Sequence, residues 1–314
     1  MSKITIIGAG NVGSTIAYTL TASGVGSEIV MIDINEAKAR GEAMDIRQGI
    51  SFFKPHFIKS GSYEDAKDSD IVIITSGIAR KPGQTRLELA QTNVNIIKDI
   101  TPKITKYAPN AVYIIVSNPV DILTYVFSKV SGIPESRIIG SGTLLDSARL
   151  RSVLSEYYSI NQNNIHAYVL GEHGDSSFVP WSLANISNIP ITECGKAFAK
   201  DGVELPELNY AEVEEHVRKS GAKVIADKGA TFYAVSASVC HICKGLYGFV
   251  GTTMTVSTMF HGEYGIDDVC LSTLCNVGNM EIRNKIMLPL NDSEIAYLRN
   301  SAEKLKEIIN NIEI

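Results

Sequence analysis

The sequence predicts an α/β protein built on a doubly wound parallel sheet, followed by a second, α+β domain. Short apolar runs such as residues 71–74 are nearly continuous, which is typical of strands buried on both faces of a parallel sheet. In the first half these runs alternate with helical stretches, the pattern of a sheet covered by helices on both sides. After about residue 145 the pattern changes, so we expect two domains, residues 1–145 and residues 146–314.

Six short segments of the first half have the composition of strands. They are Lys3–Ile7, Glu28–Asp33, His56–Ser60, Asp70–Thr75, Ala111–Val116 and Arg137–Ile139. In the second half, strand-like residues 165–170 and 249–260 lie among long helices. The last helix is the clearest, because its apolar residues recur at helical spacing and Ser293 can cap it. Its predicted apolar stripe is Ile295, Leu298, Ala302, Leu305, Ile309 and Ile312.

Composition excludes several classes of function. The chain of 314 residues is 45% hydrophobic, which is enough for a sizeable core, and its net charge of −5 argues against nucleic acid or an anionic membrane as the main partner. No apolar run reaches membrane-spanning length and no leader is recognisable, so we expect a cytoplasmic protein. Cys240 and Cys243 form a C-x-x-C pair, but they lie in a predicted buried helix, residues 233–247. We therefore interpret them as core residues and expect no metal site.

A glycine-rich turn directly follows the first strand and opens a helix. The run is Gly8-Ala9-Gly10-Asn11-Val12-Gly13. The first glycine permits the tight turn, the second permits close approach of a pyrophosphate, and the third permits helix and strand to pack closely. Asp33, at the end of the second strand, can accept hydrogen bonds from ribose hydroxyls. These features predict a Rossmann-type domain that binds NAD rather than NADP. The alternative is a cluster of turn glycines with a solvated aspartate.

Three later runs concentrate polar residues where strands are expected to end. They are Ser117-Asn118-Pro119-Val120-Asp121, Leu145-Asp146-Ser147-Ala148-Arg149 and Gly171-Glu172-His173-Gly174-Asp175. With the glycine run, and in this order, they resemble the L-lactate dehydrogenase/malate dehydrogenase family over essentially the whole chain. The overall pattern is most similar to bacterial L-lactate dehydrogenases.

The resemblance implies an NAD-dependent L-2-hydroxy acid dehydrogenase and a role for each of five residues. His173 would carry the proton, with Asp146 orienting its ring. Arg149 would grip the substrate carboxylate, Arg86 would polarise the carbonyl, and Asn118 would contact substrate and cofactor. The alternatives are a structural histidine and a simple Asp-x-x-Arg ion pair on a helix.

The residues that bear on which 2-hydroxy acid is the substrate favour two different answers. Arg80 matches the position at which malate dehydrogenases carry arginine, and an arginine there suits the second carboxylate of oxaloacetate. Glu172 and Thr231 resemble lactate dehydrogenases instead. The wider pattern favours pyruvate and L-lactate, and malate remains the alternative.

The resemblance also implies partners. Arg151 and His166 match positions that bind fructose 1,6-bisphosphate between subunits of bacterial lactate dehydrogenases. Two ordinary surface residues are the alternative interpretation. A homotetramer, or at least a dimer, is the assembly that the resemblance implies.

Overall fold

The structure is a computed structural model that describes residues 2–54, 56–78 and 85–314, with Arg86 described by its backbone only. Arg80 and the rest of residues 79–84 lie outside the described residues. In the part of the chain that is described, no helix is long and apolar enough to cross a bilayer.

In the residues that the structure describes, nine strands form the main sheet, in the order β12-β11-β10-β6-β5-β4-β1-β2-β3. The six N-terminal strands are β1 (Lys3–Ile7), β2 (Glu28–Ile32), β3 (Phe57–Ser60), β4 (Ile71–Ile74), β5 (Val112–Ile115) and β6 (Ile138–Gly140). Their pairings are all parallel, and each lies within one residue of its predicted bounds. The order of these six strands is that of a Rossmann fold, so the predicted fold class is confirmed.

The other strands come later in the chain. They are β7 (Ile165–His166), β8 (Asn185–Ile186), β9 (Ile189–Pro190), β10 (Thr252–His261), β11 (Asp267–Gly278) and β12 (Glu281–Lys285). β10, β11 and β12 pair antiparallel, and β10 meets β6 where Ser257 pairs with Gly140. The sheet therefore continues from the nucleotide half into the second half, while β7, β8 and β9 form a small separate sheet.

Nine α-helices are assigned in the described ranges. They are α1 (Asn11–Ser23), α2 (Glu36–Gln48), α3 (Arg86–Thr105), α4 (Val120–Ser131), α5 (Leu144–Tyr158), α6 (Cys194–Ala197), α7 (Tyr210–Lys228), α8 (Tyr233–Tyr247) and α9 (Asp292–Ile309). The prediction of α8 is confirmed residue for residue, and Cys240 and Cys243 are buried in it.

The central strands are buried on both faces, as their apolar runs predict. In β4, Ile71 and Ile73 pack into one core cluster, whereas Val72 and Ile74 pack into the other, on the opposite face. Burial of each such side chain contributes about 2 kcal/mol, so the two helical layers are held to the sheet along its whole length.

Two local predictions are wrong. Asn291, not Ser293, caps α9. The side chain of Asn291 accepts the N–H of Glu294, and the carboxylate of Glu294 accepts the N–H of Asn291. This reciprocal pair satisfies two free amides, whereas Ser293 already lies in the first turn. The predicted strand over residues 165–170 is also too long, because only Ile165–His166 joins a ladder and Leu170 makes an isolated bridge to Phe178.

Candidate active site

The glycine turn has the shape that a dinucleotide requires. Gly8 has a φ of 108°, where a side chain would be strained. A Cβ on Gly13 would lie 1.8 Å from the Gly8 carbonyl oxygen, so α1 approaches the turn as closely as a glycine permits. A Cβ on Gly10 would meet no atom within 4 Å. The open space above Gly10, at the N-terminus of α1, fits a pyrophosphate.

Asp33 follows β2 and turns its carboxylate toward this site. Its Oδ2 accepts the N–H of Ala9 at 2.6 Å, and its Oδ1 accepts the N–H of Asn35 at 2.8 Å. The carboxylate is thus fixed beside the glycine turn, where ribose hydroxyls would reach it. The residues present fit NAD.

His173 meets Asp146 of α5, the helix that follows β6. Nδ1 of His173 lies 2.5 Å from Oδ2 of Asp146, and the other carboxylate oxygen accepts from Arg149 Nη1 at 2.9 Å. Asp146 and Arg149 are one turn apart on α5, so both project from the same face of the helix. A single carboxylate therefore joins the imidazole to the guanidinium.

These contacts change the proton affinity of His173. The negative charge of Asp146 raises the pKa of His173 to about 9, against the opposing effect of burial. Burial disfavours the ionised form of Asp146, but His173 and Arg149 hold the pKa of Asp146 below its usual value. These contacts favour the protonated form of the imidazole at neutral pH.

The backbone of His173 is held by a second carboxylate. Asp121, which is 2% exposed in the first turn of α4, accepts the N–H of His173 at 2.7 Å through Oδ2. Burial raises the pKa of Asp121 to about 6. Sequence reasoning gave Asp121 no role. In the sequence, Asp121 is recognisable only as an acidic residue in the first turn of a predicted helix. Such a residue ordinarily indicates a favourable charge at the helix N-terminus.

The remaining predicted site residues lie on other elements. Asn118 is exposed just after β5, and its carbonyl oxygen accepts from Asn93 Nδ2 at 2.7 Å. Thr231 is half-buried between α7 and α8. Arg86 begins α3, and Arg80 lies outside the described residues. The predicted roles of all four residues stay predictions.

The two predicted effector residues lie on neighbouring elements. Arg151 is half-buried on α5 and donates from Nε to the Ser147 carbonyl oxygen at 3.3 Å. His166 is exposed on β7. Their joint role depends on a second subunit and stays a prediction.

A dinucleotide-binding sheet with a hydrogen-bonded His–Asp pair and an adjacent arginine is the arrangement expected of an enzyme that transfers a hydride and a proton to a small carboxylate substrate. Two family models match the chain: lactate/malate dehydrogenase, NAD binding domain, over residues 2–140, and lactate/malate dehydrogenase, alpha/beta C-terminal domain, over residues 143–313. The chain belongs to the lactate/malate dehydrogenase family, and its cofactor is NAD.

Curated relatives agree with this assignment. The chain is 47% identical over 313 residues to L-lactate dehydrogenase 1 of Clostridium acetobutylicum, covering 99% of this chain and 98% of the relative. It is 47% identical over 318 residues to the L-lactate dehydrogenase of Thermoanaerobacter sp. strain X514, covering all of both.

Solved structures give the same result. A lactate dehydrogenase from a Medee basin deep-sea metagenome library superposes with a TM-score of 0.94 at 36% identity, covering 99% of this chain and 98% of that one. The minor L-lactate dehydrogenase of Enterococcus mundtii also gives a TM-score of 0.94, at 34% identity over 100% of this chain and 99% of that one.

Proposed function

We propose that the enzyme is an L-lactate dehydrogenase that reduces pyruvate, with His173 as its proton carrier. The observation that carries the proposal is the contact of 2.5 Å between His173 and Asp146, beside Arg149, in a chain 47% identical to proteins named L-lactate dehydrogenase.

Each residue of the centre has a defined task in this reaction. When bound, NADH supplies the hydride that reduces the substrate carbonyl. Arg149 binds the substrate carboxylate through two N–H groups while its third contact, to Asp146, fixes its orientation. His173 donates from Nε2 to the oxygen on which negative charge develops, and Asp146 stabilises the imidazolium and fixes the Nδ1 proton.

Three further side chains complete the proposed site. Arg86 polarises the substrate carbonyl, Asn118 contributes a hydrogen bond to substrate and cofactor, and Thr231 borders the substrate side chain. Gly8, Gly10, Asn11, Val12, Gly13 and Asp33 bind the cofactor.

Steady-state rates with two substrates test the proposed function. Oxidation of NADH is followed at 340 nm with pyruvate and with oxaloacetate, and kcat/KM is compared. We expect at least a tenfold preference for pyruvate. A preference of a hundredfold for oxaloacetate would show that the enzyme is a malate dehydrogenase on a lactate-type scaffold.

Arg80→Gln tests the residue that favours malate. Removing the guanidinium is expected to lower kcat/KM for oxaloacetate by at least tenfold more than for pyruvate, because only oxaloacetate offers a second carboxylate. Equal losses for the two substrates would show that Arg80 does not contact the substrate side chain.

The assembly is part of the same proposal. We propose a homotetramer in which Arg151 and His166 bind fructose 1,6-bisphosphate at a subunit axis. Adding the bisphosphate should lower KM for pyruvate, and Arg151→Gln should abolish that response while leaving the mass measured by light scattering at four subunits. An unchanged KM on addition would rule out the effector.

The proposal also covers the domain boundaries and the cellular location of the enzyme. We propose a nucleotide-binding domain over residues 1–145 and a catalytic domain over residues 146–314, which agrees with the ranges of the two family models. We also propose a cytoplasmic location, because the five cysteines are buried and free, as is usual in a reducing compartment.

A further inference from the structure

Ser301 on the C-terminal helix α9 contacts both ends of the turn that carries His173. The side chain is fully buried. Its hydroxyl donates to the carbonyl oxygen of Ser176 at 2.6 Å and accepts the N–H of Glu172 at 3.3 Å. One hydroxyl from a distant helix thus joins the residue before His173 to a residue three positions after it.

The turn closes on itself through the side chain of Glu172. Its Oε2 accepts the hydroxyl of Ser176 and, at 3.3 Å, the backbone N–H of Ser176. The Gly174 N–H donates to the Glu172 carbonyl oxygen at 2.9 Å. Residues 172–176 therefore form a closed hydrogen-bonded ring with the Ser301 hydroxyl, and His173 projects from that ring.

Gly171, at the entry to the turn, leaves no room for a side chain between the turn and α9. Gly171 has a φ of 89°, and a Cβ on it would lie 2.5 Å from Oγ of Ser301. On its other side, Gly171 exchanges two backbone hydrogen bonds with Ser272 of β11, at 3.0 and 3.1 Å. The backbone before His173 is thus held between a strand and the Ser301 hydroxyl.

We propose that Ser301 is a positioning residue that fixes the catalytic turn so that the imidazole of His173 meets Asp146 in the productive orientation. The inference rests on the proposed role of His173 as proton carrier. The competing interpretation is that the Ser301 hydroxyl only satisfies buried hydrogen bonds where α9 docks. Positioning predicts an effect on the chemical step, whereas docking predicts an effect on stability alone.

Charged groups surround His173, so the pKa of His173 depends on where its imidazole lies relative to them. Asp146 and Arg149 face it from α5, Asp121 faces it from α4, and Glu172 belongs to its own turn. The buried thiol of Cys270 on β11 faces Asp121. Replacing Ser301 changes none of these groups. A change in the pH dependence of the variant would therefore report that the imidazole has moved relative to Asp146.

The test compares Ser301→Ala with Thr101→Val in the full-length enzyme. Thr101 is a matched control because its buried hydroxyl bonds only within α3, to the Ile97 carbonyl oxygen at 2.7 Å. Ser301→Ala should lower kcat for pyruvate by roughly tenfold or more and leave KM for NADH within about twofold. The pH above which kcat/KM for pyruvate falls should move down by about half a unit or more, since a weaker contact with Asp146 lowers the pKa of His173. Thr101→Val should change only the melting temperature.

Two more variants keep every outcome decisive. If Ser301→Ala yields too little folded enzyme, Ser301→Cys leaves no cavity, offers only a weak donor in a somewhat larger side chain, and carries the same predicted losses. A Ser301 variant with wild-type kcat and an unshifted pH profile, whatever its melting temperature, would overturn the positioning role. His173→Gln separates the role of His173 from the positioning role of Ser301. If His173→Gln keeps the wild-type rate, His173 is not the proton carrier. If His173→Gln is inactive and Ser301→Ala has the wild-type rate and pH profile, only the positioning role of Ser301 is wrong.

Discussion

At the scale of single residues, the centre depends on how one carboxylate is shared. Asp146 accepts from both His173 and Arg149, so the proposed proton donor and the proposed substrate-binding arginine are oriented by the same buried group. Resemblance alone assigned these roles, since an Asp-x-x-Arg spacing is compatible with any helix. The sequence carried no signal for the contact of Asp121 with His173, because it joins α4 to a turn about fifty residues away.

Replacing the proton carrier should remove most of the chemical step. His173→Gln is expected to lower kcat for pyruvate by roughly a thousandfold, because general acid catalysis contributes on that order. Binding of NADH, measured by quenching of protein fluorescence, should change by less than about twofold. A similar loss in NADH affinity would indicate a structural role for His173.

Replacing Asp146 by a neutral residue should lower the pKa of His173. Asp146→Asn removes the charge that raises the pKa of His173 to about 9, so the pKa falls toward the ordinary imidazole value. Because reduction needs the protonated ring, kcat/KM for pyruvate should then decline at a lower pH than in the wild type, and kcat should drop by about a hundredfold. An unshifted profile would disprove the electrostatic role of Asp146.

The proposed role of Arg149 requires a planar guanidinium, not only a positive charge. Arg149→Lys keeps the positive charge but loses the planar pair of donors, so KM for pyruvate should rise by roughly tenfold to a hundredfold. KM for NADH serves as the internal control and should stay within about twofold. Equal effects on both constants would place Arg149 outside the substrate site.

At the scale of elements, the sequence predicted regular structure better than its ends and turns. The parallel strands were predictable because two-sided burial requires unbroken apolar runs, such as that of β4. Capping residues were less predictable, because Asn291 and Ser293 both have suitable side chains and only the reciprocal bond with Glu294 selects the first. The anchoring of the His173 turn by Ser301 had no sequence signal at all, since it joins two distant segments through one hydroxyl.

The glycine turn offers a matched pair of substitutions. Gly13→Ala would place a Cβ 1.8 Å from a backbone oxygen, so it should destabilise the fold, with a lower melting temperature as well as weaker NADH binding. Gly10→Ala points into open space, so it should leave the melting temperature of the free enzyme nearly unchanged while weakening NADH binding by tenfold or more. Unaltered NADH affinity in Gly10→Ala would place the pyrophosphate elsewhere.

At the scale of the whole molecule, one sheet joins the cofactor-binding turn to the proposed proton carrier. β5 leads to Asn118 and β6 leads to α5, which bears Asp146, while β11 bonds the backbone just before His173. This continuity places residues from both halves of the chain beside one another, as Asp121 and Asp146 lie beside His173. The fold was predictable from its apolar runs, whereas the roles of the site residues stay predictions. The sequence left the substrate open between pyruvate and oxaloacetate, because Arg80 resembles malate dehydrogenases whereas Glu172 and Thr231 resemble lactate dehydrogenases.

The pH dependence of the wild-type enzyme in both directions tests the central claim most directly. If His173 carries the proton, kcat/KM for pyruvate should be constant at low pH and fall as the pH rises through the pKa of His173, raised toward about 9. The value of kcat/KM for L-lactate should rise through the same pH, because oxidation needs the neutral ring. Two profiles that change in the same direction, or a pyruvate profile with no dependence on a single group, would contradict the account.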